Sequence, residues 1–211
     1  MKPILFNTEM VKAIMEGRKT VTRRVLKLPF EIHPNGFITK PKGNERLCPY
    51  EPPFQINDIL YVRESVFQGV GHYLDVSGET VSVLTHEFEY YADGLHEKDH
   101  WKDKYERTWM HRRPSIHMPK EAARIFLKVN DVRAERLKDI DDKGAYLEGA
   151  GELNVIYQIG ARVCEFAKIW NSTIKPADIN TYGWDANPWV WVIEFERITK
   201  EQAYELESKK A

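Results

Sequence analysis

The chain has 211 residues and a formal net charge of −1, with 42% hydrophobic and 12% aromatic residues. This composition excludes an intrinsically disordered chain and a wholly basic nucleic-acid coat, and the length is enough to bury a sizeable core. No apolar run approaches the roughly 18 residues that a membrane span needs, and Asn7, Thr8 and Glu9 break the apolar start. A cytoplasmic location is expected. Cys48 and Cys164 are read as two free thiols, because two cysteines so far apart make no disulfide framework.

In chain order, Ile4 to Phe6 is a short apolar run. Thr8 is then an N-cap candidate, and Met10, Val11, Ile14 and Met15 recur at helical spacing up to a stop at Gly17. Thr20 to Leu28 reads as a strand, rich in β-branched residues and ended by Pro29. Residues 29–57 hold six prolines and are expected to form an irregular loop, followed by a strong strand from Asp58. From Gly69 to Met118 a second irregular stretch contains candidate strands at Val81–Leu84 and Phe88–Tyr91 and a charged helical piece from Glu97 to Arg107. Arg124 to Val132 alternates as a strand, Asp139 to Glu148 reads as a short helix ended by Gly149, and Leu153 to Ser172 carries an amphipathic helical pattern. Val190 to Ile198 is the last strand, and the polar tail from Thr199 reads as a surface helix. Strands scattered among helices without a βαβ rhythm predict an α+β fold, with a small barrel and packed helices as the natural solution.

The segment Gly17 to Lys27 draws attention because five cations, Arg18, Lys19, Arg23, Arg24 and Lys27, crowd around two threonines. In an extended chain, Thr20, Thr22 and Arg24 share one face and Val21, Arg23 and Val25 the other, with the valine face seeking core. Hydroxyls beside a guanidinium fork suit a planar polar or anionic ligand. A solvated strand face, with threonine chosen for its β-propensity, is the plainer reading from composition alone.

The order Gly17-x-Lys19-x-x-Thr22-x-Arg24, after a strand and a short helix, resembles the ASCH family motif. Three further stretches, Asp58-Ile-Leu-Tyr-Val-Arg-Glu-Ser, Pro114-Ser-Ile-His-Met-Pro and Tyr182-Gly-Trp-Asp-Ala-Asn-Pro-Trp-Val-Trp-Val, resemble the long ASCH proteins of bacteriophages and prophages. The resemblance implies one PUA-like domain over 1–211, a small β-barrel with flanking helices, with insertions at about 29–57 and 66–118. It also implies RNA or a modified nucleoside or nucleotide as partner. A small bacterial member of the family hydrolyses N4-acetylcytidine. By that resemblance Thr22 is the nucleophile, Lys19 its activating base and Glu148 the proton donor or orienter. In an ideal strand positions 19 and 22 point to opposite faces, so Lys19 reaches Thr22 only if Gly17 to Thr20 is a turn.

Arg24 is a candidate ligand contact. Arg63 and Glu64, at a strand end, are read either as pocket lining or as a surface ion pair, and Ser115 and His117, in a proline-bracketed loop, either as pocket lining or as loop packing. The tryptophans around 184–191 are read as core before base-stacking platforms. His96-Glu97-Lys98-Asp99-His100 matches a zinc-protease spacing, but charged residues fill it and no apolar stripe flanks it, so no metal is expected there. The basic stretch from Lys98 to Arg113 is diluted by acids and read as a solvated face. No cofactor is expected, and no carboxylate cluster supports a nuclease.

Overall fold

Asn7, not Thr8, caps the first helix: its side chain accepts from the Met10 amide at 2.9 Å, and Thr8 is already helical. The helix stops where Gly17 takes φ +77°, a conformation that a side chain disfavours. The computed structural model describes residues 1–33, 38–42, 46–94, 110–151 and 159–210. In chain order the elements are β1 (Lys2–Leu5), α1 (Thr8–Met15), β2 (Val21–Val25), β3 (Glu31–Ile32), β4 (Ile38–Lys42), β5 (Arg46–Pro49), β6 (Ile59–Arg63), β7 (Val66–Leu74) and β8 (Thr80–Tyr90). There follow β9 (Met110–Arg113), β10 (Phe126–Arg136), α2 (Asp142–Leu147), α3 (Ala161–Thr173), α4 (Ile179–Tyr182), β11 (Trp189–Ile198) and α5 (Lys200–Ser208).

The fold is α+β, and the described residues gather into two compact units. The first comprises Met1–Gly17, Ile59–Lys128 and Arg197–Ala211. In it β1 runs parallel to β6, pairing Lys2 with Leu60 and Ile4 with Val62, and the start of β10 pairs antiparallel to β6. A second sheet has the order β8-β7-β9. Ile59, Val66, Met118, Ala122, Ala123, Phe126 and Ala203 form a buried cluster in this unit. The C-terminal helix begins with a capping box in which Thr199 and Gln202 satisfy each other's backbone amides.

The second unit comprises Arg18–Asp58 and Val129–Glu196. Here the remainder of β10, β11 and β2 lie side by side, and β2 pairs antiparallel to β11 with Val25 opposite Val190, Arg24 opposite Trp191 and Thr22 opposite Ile193. One face, carrying Val21, Val190 and Val192, packs on Leu137, Ile140, Ala145, Phe166 and Trp170. The expectation that the valine face of β2 seeks core holds. Of the tryptophans around 184–191, Trp191 is buried, while Trp184, edge-on against Phe166, and Trp189 are half-buried; Trp170, outside that stretch, is core and donates its indole N–H to the Tyr182 carbonyl at 2.8 Å.

The structure departs from expectation at several points. Among the described residues no sheet closes into a barrel. The proline-rich stretch 29–57 is not an irregular loop, because β3, β4 and β5 form a small antiparallel sheet within it. Proline is tolerated at the ends and edges of such short strands, which masks them in sequence. The stretch 66–118 likewise holds a sheet of its own, and the two short strand candidates at 81–91 are one long strand, β8, paired with the unexpected β7. The candidate helix Glu97–Arg107 and the histidines at 96 and 100 lie outside the described residues, as does the beginning of the expected Leu153–Ser172 helix.

Leu137 is fully buried in the core of the second unit. Leu137→Ala is expected to lower unfolding stability by about 2–5 kcal/mol, read from the urea midpoint with the slope unchanged.

Candidate functional site

Two turns bring the site together. Gly17 turns the chain out of α1, and Gly149, at φ +95°, turns it after α2. Between them the Thr20 amide donates to the Leu147 carbonyl at 3.0 Å, and the Phe195 amide donates to the Thr20 carbonyl at 2.9 Å. Arg18 ties the segment after α2 in place by donating to the carbonyls of Gly149 and Gly151, both at 3.0 Å. Residues 18–20 are not strand, which meets the condition set by the spacing of positions 19 and 22.

The result is a buried ion pair. Lys19 is 2% exposed and Glu148 7%. Lys19 Nζ donates to Glu148 Oε2 at 2.7 Å, to the Glu148 carbonyl at 2.8 Å and to the Val21 carbonyl at 2.7 Å. An ammonium has three protons, so these acceptors satisfy it fully. The Glu148 carbonyl closes α2, so the cation also sits where the helix end favours positive charge. Burial pulls the Lys19 ammonium below the ordinary lysine value; Glu148 opposes this, and nearby Arg24 and Arg23 add to it.

The other carboxylate oxygen of Glu148 accepts from Arg23 at 3.2 Å. Arg23 belongs to the core-facing side of β2 and is itself buried. Its second terminal nitrogen lies 3.6 Å from Glu135, whose other oxygen accepts from Arg133 at 2.5 Å. Opposite charges therefore alternate from Arg133 at the surface through Glu135, Arg23 and Glu148 to Lys19. The Nε of Arg23 is buried with no hydrogen-bond partner among the described residues. Gly144 lies close by, where a Cβ would stand 3.0 Å from Ile140 and 3.1 Å from the Asp141 carboxylate and only in ordinary contact, 3.6 Å, with this guanidinium. Sequence reasoning named Arg23 only as one of the cations around Lys19, not as a partner of Glu148. The missed signal is a cation on the core face of a strand, which needs a buried anion.

Thr22 and Arg24 occupy the opposite face of β2. Thr22 is buried, and no hydrogen bond joins its hydroxyl to Lys19 among the described residues. Burial lowers the Arg24 guanidinium from its ordinary value, and Glu148 opposes the shift. Beside Arg24 in register is Trp191, whose indole helps to line a groove of about 510 Å3. Ile38, Pro49, Tyr50, Glu51 and Pro52 line it from the proline-rich segment, and Val132, Arg133 and Ala134 from β10. The Tyr50 and Trp191 rings lie 6.3 Å apart at 41°. The Arg133 guanidinium is engaged by Asp131 at 2.8 Å, Glu135 and Glu194.

Arg63, Glu64, Ser115 and His117 belong to the first unit and have partners of their own there. Glu64 is not half of a surface pair with Arg63. It is buried and receives two bonds from Arg124, at 2.9 and 3.0 Å, while Arg124 also holds Asp93 at 2.8 Å and lies 3.8 Å from the Tyr90 ring centre. Arg63 donates to the carbonyls of Met118 and Ile116. That contact fixes the proline-bracketed turn in which Ser115 and His117 sit, His117 being exposed. Among the described residues no group of three or more His, Cys, Asp or Glu is placed to hold a metal. Cys164 is free and exposed, while the Cys48 side chain lies outside the description. No described helix is long and apolar enough to cross a membrane.

No family model matches the chain, and no curated protein or solved structure does so either.

Two predictions follow from these ion pairs. Glu148→Gln leaves Lys19 and Arg23 buried without their anion and is expected to cost about 3–5 kcal/mol in urea unfolding. Glu64 titrates the other way from most paired carboxylates: burial raises it above the ordinary value, Arg124 opposes and Asp93 adds to the rise. The folded state then holds a proton that the unfolded state has already released, so stability is lost as pH rises through the interval above about 4.5. Unfolding free energies measured across that interval should fall more steeply for the wild type than for Glu64→Gln.

Proposed function

We propose that this chain is a PUA-like ASCH protein that binds RNA or a modified nucleotide, with Arg24 as the cationic contact and the groove beside it as the base site. The observation that carries the reading is the register pair Arg24–Trp191. It places Arg24 and Trp191 side by side on one face of the sheet, and Trp191, with Tyr50, lines a groove able to take a planar ring. The cationic character of the segment supports it: Arg18, Lys19, Arg23, Arg24 and Lys27 lie within Gly17 to Lys27, and a guanidinium suits the phosphate of a nucleotide. The motif Gly17-x-Lys19-x-x-Thr22-x-Arg24 supports the family assignment.

A second reading, an amidohydrolase acting on N4-acetylcytidine, draws on the Lys19–Glu148 contact, since the resemblance names both residues as catalytic. In that reaction Lys19 first passes a proton to Glu148. The neutral amine then accepts the proton of the Thr22 hydroxyl as its oxygen attacks the acetyl carbonyl; the C–N bond breaks as Glu148 returns its proton to the leaving N4 amine of cytidine, and water hydrolyses the acetyl-threonine to acetate. The hydrogen bonds of Lys19 count against it: all three protons are committed, and none of its bonds reaches Thr22.

Fluorescence anisotropy with short RNA oligonucleotides separates the readings. Tyr50→Ala should weaken binding about ten- to hundred-fold, the cost of one lost stacking contact. Arg24→Ala should weaken it and flatten the salt dependence, while Thr22→Val leaves affinity unchanged. Acetate release from N4-acetylcytidine that disappears in Thr22→Val would replace the binding reading with the hydrolytic one.

A further inference from the structure

The apolar side chains of the first unit are not all inside it. Between Val70 and Leu84, β7 and β8 continue as a two-stranded ribbon, paired Gly71 with Val83, His72 with Ser82, Tyr73 with Val81 and Leu74 with Thr80. The third strand, β9, pairs only with Val66 to Gly69 and stops short of the ribbon. Successive side chains on a strand point to opposite faces, and here both faces are open: Tyr73 and Val83 are exposed on one, Leu74 and Leu84 on the other. The turn is well built. Asp75 Oδ1 accepts from the Ser77 amide at 2.9 Å, the Ser77 hydroxyl at 2.6 Å and the Glu79 amide at 2.9 Å, with Gly78 at φ +83°. Even so, Val76 stands exposed at the tip.

A lone two-stranded ribbon with this much exposed apolar surface is marginal in water and marks an interaction site. Its charge narrows the partner. From Val70 to Leu84 the ionisable groups are Asp75, Glu79 and His72, so neither a nucleic acid nor an anionic membrane is attracted to it. The partner is a protein.

The outer edge of β8 specifies the kind of contact. β8 is an edge strand, and its outer side pairs with no other strand among the described residues. It contains no proline, lysine or arginine, the residues that usually protect an edge from pairing. The register shifts between Gln68 and Val70, so Thr85 to Glu87 bulge opposite Gly69 and end the regular edge at Leu84. The regular edge is therefore Thr80-Val81-Ser82-Val83-Leu84, which is uncharged and nearly symmetric about Ser82. Laid antiparallel on a second copy about a two-fold axis at Ser82, it sets Val81 against Val83 of the other copy and Thr80 against Leu84. Both are favourable cross-strand pairs, and no like charges face each other.

We propose that the chain self-associates through this edge, the β8 strands of two copies pairing antiparallel about Ser82 to join two ribbons into one continuous sheet. The contact is short, so the dimer is weak and concentration-dependent. Sedimentation velocity of the full chain from about 1 μM to about 1 mM covers the corresponding affinity range. The wild type is expected to shift from monomer to dimer within it. Val83→Glu and Val81→Lys each place a charge against valine and should each weaken the dimer at least about tenfold. Combined in one chain they face each other across the axis with opposite sign and should restore the wild-type constant. Neither position is buried, so folding is kept, and circular dichroism checks it. A chain that stays monomeric over the whole range, or a dimer indifferent to all three variants, overturns the proposal.

Discussion

Glu148 is a carboxylate held between a lysine and an arginine in a place with almost no access to water. Moving any one of these charges inside alone would cost several kcal/mol, so each can be buried only because the others are. That mutual requirement fixes much around it. The end of α2, the entry to β2 and the turn at Gly149 must all meet to within hydrogen-bonding distance, and Arg18 secures the same junction from the backbone side. A site of this kind is built by the chain's ends of elements rather than by their middles, and the glycines at 17 and 149 permit the approach.

The two faces of β2 do different work. Its core side carries the ion pairs, locked among Leu137, Ile140 and the helices of the second unit. Its other side carries Thr22 and Arg24 and borders the aromatic groove. Strand alternation explains how five residues supply both a buried anchor and a face set beside Trp191. Thr22 is oriented with Arg24 and away from Arg23, and it is buried.

Much of this was legible in the sequence, and the pattern of success is physical. The alternation of valines and polar residues from Val21 to Val25 gave the right faces, and glycine marked the ends of α1 and α2. The proximity of Lys19 and Glu148, 129 residues apart, came from family resemblance and not from periodicity. The small sheet at 38–49 was hidden because prolines at strand edges look like loop. β7 was hidden because Gly69 and Gly71 interrupt its pattern; at Gly69 the Thr85 side chain occupies the space where a Cβ would be. Glu64 was read as pocket lining or as half of a surface pair with Arg63, because its partner, Arg124, is 60 residues away in the chain, and no local rule pairs them.

The sheet of β3, β4 and β5 contributes Ile38, Pro49 and Tyr50 to the groove but no residue to the buried ion pairs. One wall of the groove is thus encoded apart from the buried charges, while the other, with Trp191, shares its strands with them. Mutation can lengthen or exchange the proline-rich segment, and with it the shape of that first wall, while the charged centre of the second unit is left intact.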